Sequence, residues 1–399
     1  MKKIFCLILL IINYQLLIIN STCAQTALPA DRDSSRLRIS LLTCTPGEEL
    51  YSTFGHSAFR VIDSNSVSDI VYNYGTFNFD DEGFYLKFVR GKLLYYISPE
   101  SFAGFKQDKQ FENRGITEQV LNLTASEKIS IRHFLNENLK EENRYYKYDF
   151  FFDNCTTRLR DILHNIPRIK KQPDSNFCQK PVMPAGTTFR QAIHQYLDQN
   201  GQRWSELGID ILLGLPCDAV MTVEQMQFLP DNLMKSLDSS RQTMVLSHQN
   251  LYPVLQNDKN TTLTPLVIFS LLLLSIILIS LIRSKWANYF LQGFDGLVFF
   301  ITGVLGIIII LMWTATDHSM CKNNFNLLWA WPMHTVMAFF ISSKKRWVQL
   351  YFTFTAIGYL LVLLLWFFLP QQMNPGLIPI LILLIYRSTR LGMIPANSL

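Results

Sequence analysis

Two hydrophobic patterns divide this chain. From about residue 21 to residue 260, apolar positions recur at intervals of two, or of three and four, among charged and turn residues. From Leu263 onward they form long runs separated by short polar links. The first pattern makes strands and helices that bury one face. The second has no polar face, and a helix that is apolar all round needs lipid or a large core around it.

In the first region, 37–42 alternates, with Arg38 and Ser40 as polar positions, and predicts a strand. Residues 54–62 and 70–77 flank the turn Asp63-Ser64-Asn65-Ser66 and predict a hairpin, and 84–96 is β-favouring with Gly91 as a bend. Thr124 and Glu127 form a capping box ahead of a helix with the stripe Ile131, Phe134, Leu135 and Leu139, ending near Glu142; His133 lies off that stripe, on the surface. An aromatic strand over 145–152 then runs into a helix whose first residue is Cys155, with Leu159, Ile162 and Leu163 on its buried face. Thr188-Phe189-Arg190 opens a further helix through Leu197, another segment covers 204–215, and Phe228-Leu229-Pro230 ends one more. His164, His194 and His248 lie in polar surroundings that predict exposed faces.

The apolar runs are 263–282, 297–313, 327–341, 350–369 and 376–386. A bilayer core of about 30 Å needs about 20 residues of helix, so these predict five spans. Charge placement agrees. Arg283, Lys285, Lys344, Lys345, Arg346, Arg387 and Arg390 fall on one side and Lys322 alone on the other, the asymmetry expected if the N-terminal region is exported. Asp295 is expected to snorkel at the inner surface and His334 to bond between helices. The polar loop 316–326 has two readings: a solvated link, or one whose Asp317 and His318 face the N-terminal domain and help position substrate.

Lys2, Lys3, the apolar stretch 4–19 and Thr22-Cys23-Ala24 read as an export signal cleaved after Ala24, with an acylated Cys23 or an uncleaved anchor as alternatives. The expected organisation is a signal peptide at 1–24, an exported domain at 25–260, a membrane domain at 261–390 and a cytoplasmic tail at 391–399. The net charge of +5 is partly this topology signal and implies no nucleic-acid partner. No metal-ligand spacing, dinucleotide Gly-rich loop or P-loop occurs, so no metal or cofactor is expected. Five cysteines follow Ala24. An oxidising compartment permits a Cys178–Cys217 bridge, and the odd total leaves at least one thiol free, expected to be Cys155.

A cysteine at a helix start sits among unpaired N–H groups and the positive end of the dipole, which favour thiolate. A catalytic thiol also needs a base and a group to orient that base. Of seven histidines, only His56 lies in a strand-like apolar run, and Asn73, one strand further on, is the candidate orienter. A core histidine and a turn or edge amide are the alternative readings of those two. Asn154 or the backbone N–H of Cys155 is the candidate oxyanion donor.

A strand bearing Gly-His-Ser, a second strand, then Asn-Cys opening a helix resembles the circularly permuted papain-like fold of lecithin:retinol acyltransferase and its relatives. Phe54-Gly55-His56-Ser57, Tyr72-Asn73-Tyr74-Gly75, Asn154-Cys155-Thr156-Thr157-Arg158, Gly208-Ile209-Asp210, Phe228-Leu229-Pro230 and Asn326-Leu327-Leu328-Trp329 resemble the Lnb-type lipoprotein N-acyltransferases. That resemblance implies an α+β papain-like exported domain followed by an all-α five-helix transmembrane domain, in the inner membrane with the N-terminal domain in the periplasm. It implies an acyl donor phospholipid, a lipoprotein acceptor, and a ping-pong transfer in which Cys155 attacks the ester and His56 moves protons. Asn73 is not fixed by the family pattern. A membrane-tethered cysteine peptidase or amidase, and a non-catalytic sensor or assembly factor, are the other readings.

Overall fold

A computed structural model describes residues 35–170, 180–240, 243–254 and 262–393. The expected signal peptide, Cys178 with its proposed bridge, and residues 394–399 lie outside the described residues.

The N-terminal region is built on one seven-stranded antiparallel sheet. Strands β1 (Leu37–Cys44), β2 (His56–Asp63) and β3 (Ser68–Thr76) include the predicted hairpin. Helix α1 (Phe84–Val89) precedes β4 (Leu94–Ser101), and α2 (Phe102–Phe111) precedes β5 (Ile116–Leu121). Helix α3 (Ala125–Asn138), β6 (Tyr145–Lys147), α4 (Cys155–His164), α5 (Phe189–Gln199), α6 (Arg203–Leu212), α7 (Pro230–Asp238) and β7 (Val245–Tyr252) come next. The sheet order is β6-β4-β3-β2-β1-β5-β7. Ile39, Leu41, Phe59 and Ile97 of the sheet meet Leu135 of α3, Leu159 and Leu163 of α4 and Leu233 of α7 in a single core.

Four local expectations change. Residues 84–89 form a helix and only Leu94 onward pairs as strand. β-propensity reports packing against a sheet neighbour, and 84–89 has none; instead the carbonyls of Phe88, Val89 and Arg90 bond the 317–318 loop. Strand pairing after Arg144 stops at Lys147, because Asp149 makes a turn: its Oδ1 accepts from the N–H groups of Phe151 and Phe152 at 2.9 and 3.1 Å. The capping box at Thr124 is present, but α3 ends at Asn138 rather than near Glu142. A short turn, Gln225–Phe228, does end there, but Pro230 opens the next helix, as proline at the first helical position can.

The C-terminal region is helical: α8 (Pro265–Leu281), α9 (Lys285–Thr314), α10 (Arg346–Leu364) and α11 (Ile378–Gly392). Among the described residues, α9 and α10 are long and apolar enough to cross a bilayer, and α8 is an apolar helix of 17 residues. The third apolar run is not the single helix expected. It is broken into turns at Phe325–Leu328, His334–Met337 and Ala338–Phe340. Asn324 and Asn326 hold it by donating to the carbonyls of Leu212, Ile211 and Asp210, and Pro332 lies in the break between the first two turns. The run lies so close to α9 that a Cβ on Gly306 would stand 2.0 Å from the Ala330 carbonyl oxygen.

Asp295 does not snorkel. It is buried, and both its oxygens accept from Arg387, at 2.7 and 2.8 Å. A carboxylate among apolar helices is costly unless paired, so Arg387 serves a partner inside the helix bundle. His334 does bond between elements, with Tyr351 at 2.7 Å and with Tyr359.

His194 and His164, expected on exposed faces, are both largely covered. His164 Nδ1 stands 3.7 Å from Glu224. His194 Nε2 reaches Asp210 Oδ1 at 2.9 Å, and Arg190 Nη1 reaches the same carboxylate at 2.7 Å. Asp210 Oδ2 accepts from Asn374 Nδ2 at 2.8 Å, which ties this cluster to the loop before α11. His133 and His248 are exposed as predicted.

Candidate active site

Helix α4 starts at Cys155 because Asn154 caps it: Oδ1 accepts from the N–H groups of Thr156 and Thr157, both at 2.8 Å. The other end of that amide donates to the carbonyls of Phe150 and Phe228, at 2.7 and 2.9 Å. Asn154 is therefore fully spent on positioning and has no donor left for an oxyanion. The backbone N–H of Cys155 remains, at the positive end of the helix.

Strand β2 begins at His56, whose strand partner in β1 is Cys44. The chain can start there because the preceding residue is glycine: Gly55 has φ +83°, and a Cβ on it would lie 2.8 Å from the Cys44 carbonyl oxygen. The start of β2 meets the start of α4, where Thr156 Oγ1 donates to Ser57 Oγ at 3.2 Å. This contact places the imidazole against the thiol.

His56 Nε2 is 3.0 Å from Asn73 Oδ1, in the neighbouring strand. Asn73 Nδ2 donates to Glu100 Oε1 at 2.7 Å, which fixes the amide orientation and makes Nε2 the protonated ring nitrogen. Nδ1 is left for the sulfur. The structure thus brings Cys155, His56 and Asn73 together, and adds Glu100, which sequence reading missed. Glu100 stands opposite Val71 and one step diagonal to Asn73, which faces Ser98; only the strand register reveals that relation.

Electrostatics distinguish this thiol from the others. Burial raises the Cys155 pKa, but the His56 charge and hydrogen bond, with further bonds from the Ser57 N–H and Thr156 hydroxyl, outweigh it, and the pKa falls from 9.0 to about 7. Cys44, fully enclosed, is pushed up to about 11 by burial. Cys217 is likewise raised, to about 12. Burial also lifts the Glu100 carboxyl, with Asp108 adding to it and Asn73 opposing.

Cys155 and His56 open on a cavity of about 850 Å³, walled by aromatic and aliphatic side chains including Tyr51, Phe77, Phe79, Tyr95, Tyr148 and Phe228. Among the described residues, its cationic side chains besides histidine are Lys109 and Arg114, both bonded to Glu112. A separate cavity of about 560 Å³ lies between α3 and α4, where Phe134 and Ile162 line it, and does not reach the thiol.

Residues 25–195 match the Lnb N-terminal periplasmic domain, and residues 256–397 match the Lnb transmembrane domain. The chain belongs to the Lnb family. No curated protein and no solved structure matches it.

As an Lnb protein it has a periplasmic domain and a membrane domain, and the two meet beside the cavity. Lys147 pairs with Asp317 at 3.0 Å, and His318 Nε2 donates to the carbonyls of Val89 and Phe88, at 3.1 and 3.3 Å. His318 also lines the cavity. Of the two readings of this loop, the one in which Asp317 and His318 face the periplasmic domain is what the Lnb structure has. Two side-chain trios also place ligand-type atoms close together: Asp161, His164 and Glu224, and His194, Glu206 and Asp210. In the second, the Arg190 guanidinium already supplies the positive charge that Asp210 needs.

Proposed function

We propose that this Lnb protein is a lipoprotein N-acyltransferase that carries an acyl chain from a phospholipid, through a thioester on Cys155, to the α-amino group of a lipidated N-terminal cysteine. We read its periplasmic domain as the permuted papain-like fold, with the histidine strand before the cysteine helix. It would reside in the inner membrane with five crossings, the broken 325–341 segment being the third.

One observation carries this reading: a thiol with a pKa near 7, backed by the His56–Asn73–Glu100 relay, faces a large apolar cavity at the junction with the membrane domain. The thiolate attacks the ester carbonyl, and the Cys155 N–H stabilises the oxyanion. The C–O bond breaks, and the glycerol alkoxide takes a proton from the His56 imidazolium and leaves as a lysophospholipid. The acceptor amine then attacks the thioester, His56 takes a proton from nitrogen, and the thiolate leaves. Amide and lysophospholipid are the products, and the enzyme is regenerated. An acyl chain and a lipidated acceptor are both bilayer molecules, which fits a thiol held beside a membrane domain.

The test is mass spectrometry of a lipoprotein N-terminus from cells with and without this protein. One added acyl chain, present only with active protein, is expected. An unchanged acyl count would refute the reading and favour a peptidase or a sensor.

A further inference from the structure

Helix α1 turns its apolar side chains outward. Tyr85 is 79% exposed and Leu86 64%, Phe79 just before the helix is 66% exposed, and Phe88 and Val89 are half exposed. No residue of the helix is buried. So many large apolar groups in one short stretch mark a contact surface. Lys87, exposed Arg90 and exposed Lys92 are interspersed among them, with Asp80, Asp81 and Glu82 ahead of the helix and Lys87 paired with Asp81 at 2.8 Å, and charged groups among aromatic and aliphatic ones suit the boundary between hydrocarbon and headgroups.

The place of this surface identifies its occupant. Asp317 N–H donates to the Arg90 carbonyl at 3.0 Å, and His318 bonds the two preceding carbonyls. Asp317 comes just after the end of α9 at Thr314, whose apolar run over 297–313 ends in Trp313, the residue type that anchors a span at the headgroup level. The exposed apolar surface is therefore tied to the chain within a few residues of the bilayer boundary.

Its inner side leads to the thiol. Phe79 packs on Phe77 at 4.9 Å between ring centroids, Phe77 on Tyr95 at 5.2 Å, and Tyr95 on Tyr148 at 4.4 Å. Tyr148 and Cys155 both lie against Gly75. Aromatic rings thus run from the exposed surface to Tyr148, and Gly75 lies between that ring and Cys155.

We propose that residues 79–92 form a lip that dips into the periplasm-facing leaflet, and that an acyl chain reaches Cys155 sideways along its inner wall. Lip insertion stands independently of the chemistry; the route of the acyl chain rests on the acyltransferase reading.

The test uses the full-length protein in nanodiscs of phosphatidylethanolamine and phosphatidylglycerol, with the photoreactive residue p-benzoylphenylalanine placed at position 86 or at position 67. Val67 is 91% exposed in the β2–β3 turn, at the hairpin end opposite His56. Phospholipid adducts at 86 and none at 67 are expected. No adduct at 86, or equal adducts at both, would overturn lip insertion. A Tyr85→Ser, Leu86→Ser double variant tests the route. Loss of two apolar side chains from lipid should lower Cys155 acylation by bilayer phospholipid, relative to acylation by a soluble short-chain ester, at least about tenfold. An unchanged ratio would overturn the route. If wild-type protein is acylated by neither donor, the acyltransferase reading fails while the crosslinking result stands.

Discussion

Two histidine clusters in this protein use similar parts for opposite ends. His56 and His194 each place Nε2 about one hydrogen bond from a side-chain oxygen, at 3.0 Å from Asn73 and 2.9 Å from Asp210. Around His194 the partners are charged and enclosed: burial lowers its pKa, but Asp210 and Glu206 outweigh that and raise it. Arg190 bonds the same Oδ1 of Asp210 as His194 does, and Asn374 takes Oδ2 and locks the carboxylate to the membrane domain. Around His56 the oriented partner is a neutral amide, and the remaining neighbour is a half-buried thiol facing open space. A histidine beside a carboxylate is thus no sign of reactivity by itself. What marks the Cys155 site is a titratable group with a shifted pKa, one oriented base, and room for a substrate.

Changes at the two clusters should therefore produce different losses. The largest effect belongs to Cys155→Ala, which should cut acyl transfer by more than about 10³-fold while leaving thermal unfolding nearly unchanged, since the side chain is half buried at a helix start. Retained transfer would place the chemistry elsewhere.

His56→Ala should cost about 10²- to 10⁴-fold in rate and leave a second signature. Wild-type Cys155 is half thiolate near pH 7, so its alkylation rate should rise with pH through a midpoint near 7. The His56 charge and hydrogen bond are what lower that value against burial, so without them the midpoint should move up toward or beyond the ordinary 9.0. A midpoint unmoved in the variant would mean that His56 does not hold the thiolate.

At the other cluster the expected loss is stability. Asp210→Ala leaves Arg190 with the Asp218 carboxylate and the carbonyls of Leu213 and Gly214 and removes the bond from Asn374, and breaking a buried pair in this way costs about 3 kcal/mol. The alkylation profile of Cys155 should stay in place. A large shift in that profile would show that the two clusters are coupled and would break the comparison. Smallest is Glu100→Gln, which keeps an oxygen to accept from Asn73 but removes the charge; a charge-assisted bond exceeds a neutral one by about 1 kcal/mol, so activity should fall about tenfold or less. A larger loss would make Glu100 more than a support for Asn73.

Much of this arrangement could be seen in the sequence because local rules governed it. Cys155 opens a helix, His56 lies in a strand, and Asn73 falls on the adjacent one; each comes from residue type and period. The two halves of the chain separate on hydropathy alone. The features that escaped were set by tertiary neighbours. Glu100 needed the β3–β4 register. Helix α1 has strand-like composition but no strand to pair with. The third apolar run looks continuous until Asn324 and Asn326 are seen bonding the end of α6, and Asp295 looks like a surface charge until Arg387 is found beside it. Asn154, expected as an oxyanion donor, instead caps α4, and the carbonyl of Phe228 that takes its remaining donor lies far along the chain.

The most direct measurement is intact-protein mass spectrometry of the purified chain after incubation with a phospholipid of defined acyl chains, quenched in acid to preserve thioesters. Acyl transfer through Cys155 predicts one adduct of fatty-acyl mass on that residue, cleared by hydroxylamine, absent from Cys155→Ala, and discharged when a diacylated lipopeptide with a free α-amine is added. A wild-type protein that stays at its unmodified mass while its thiol remains alkylatable would contradict it.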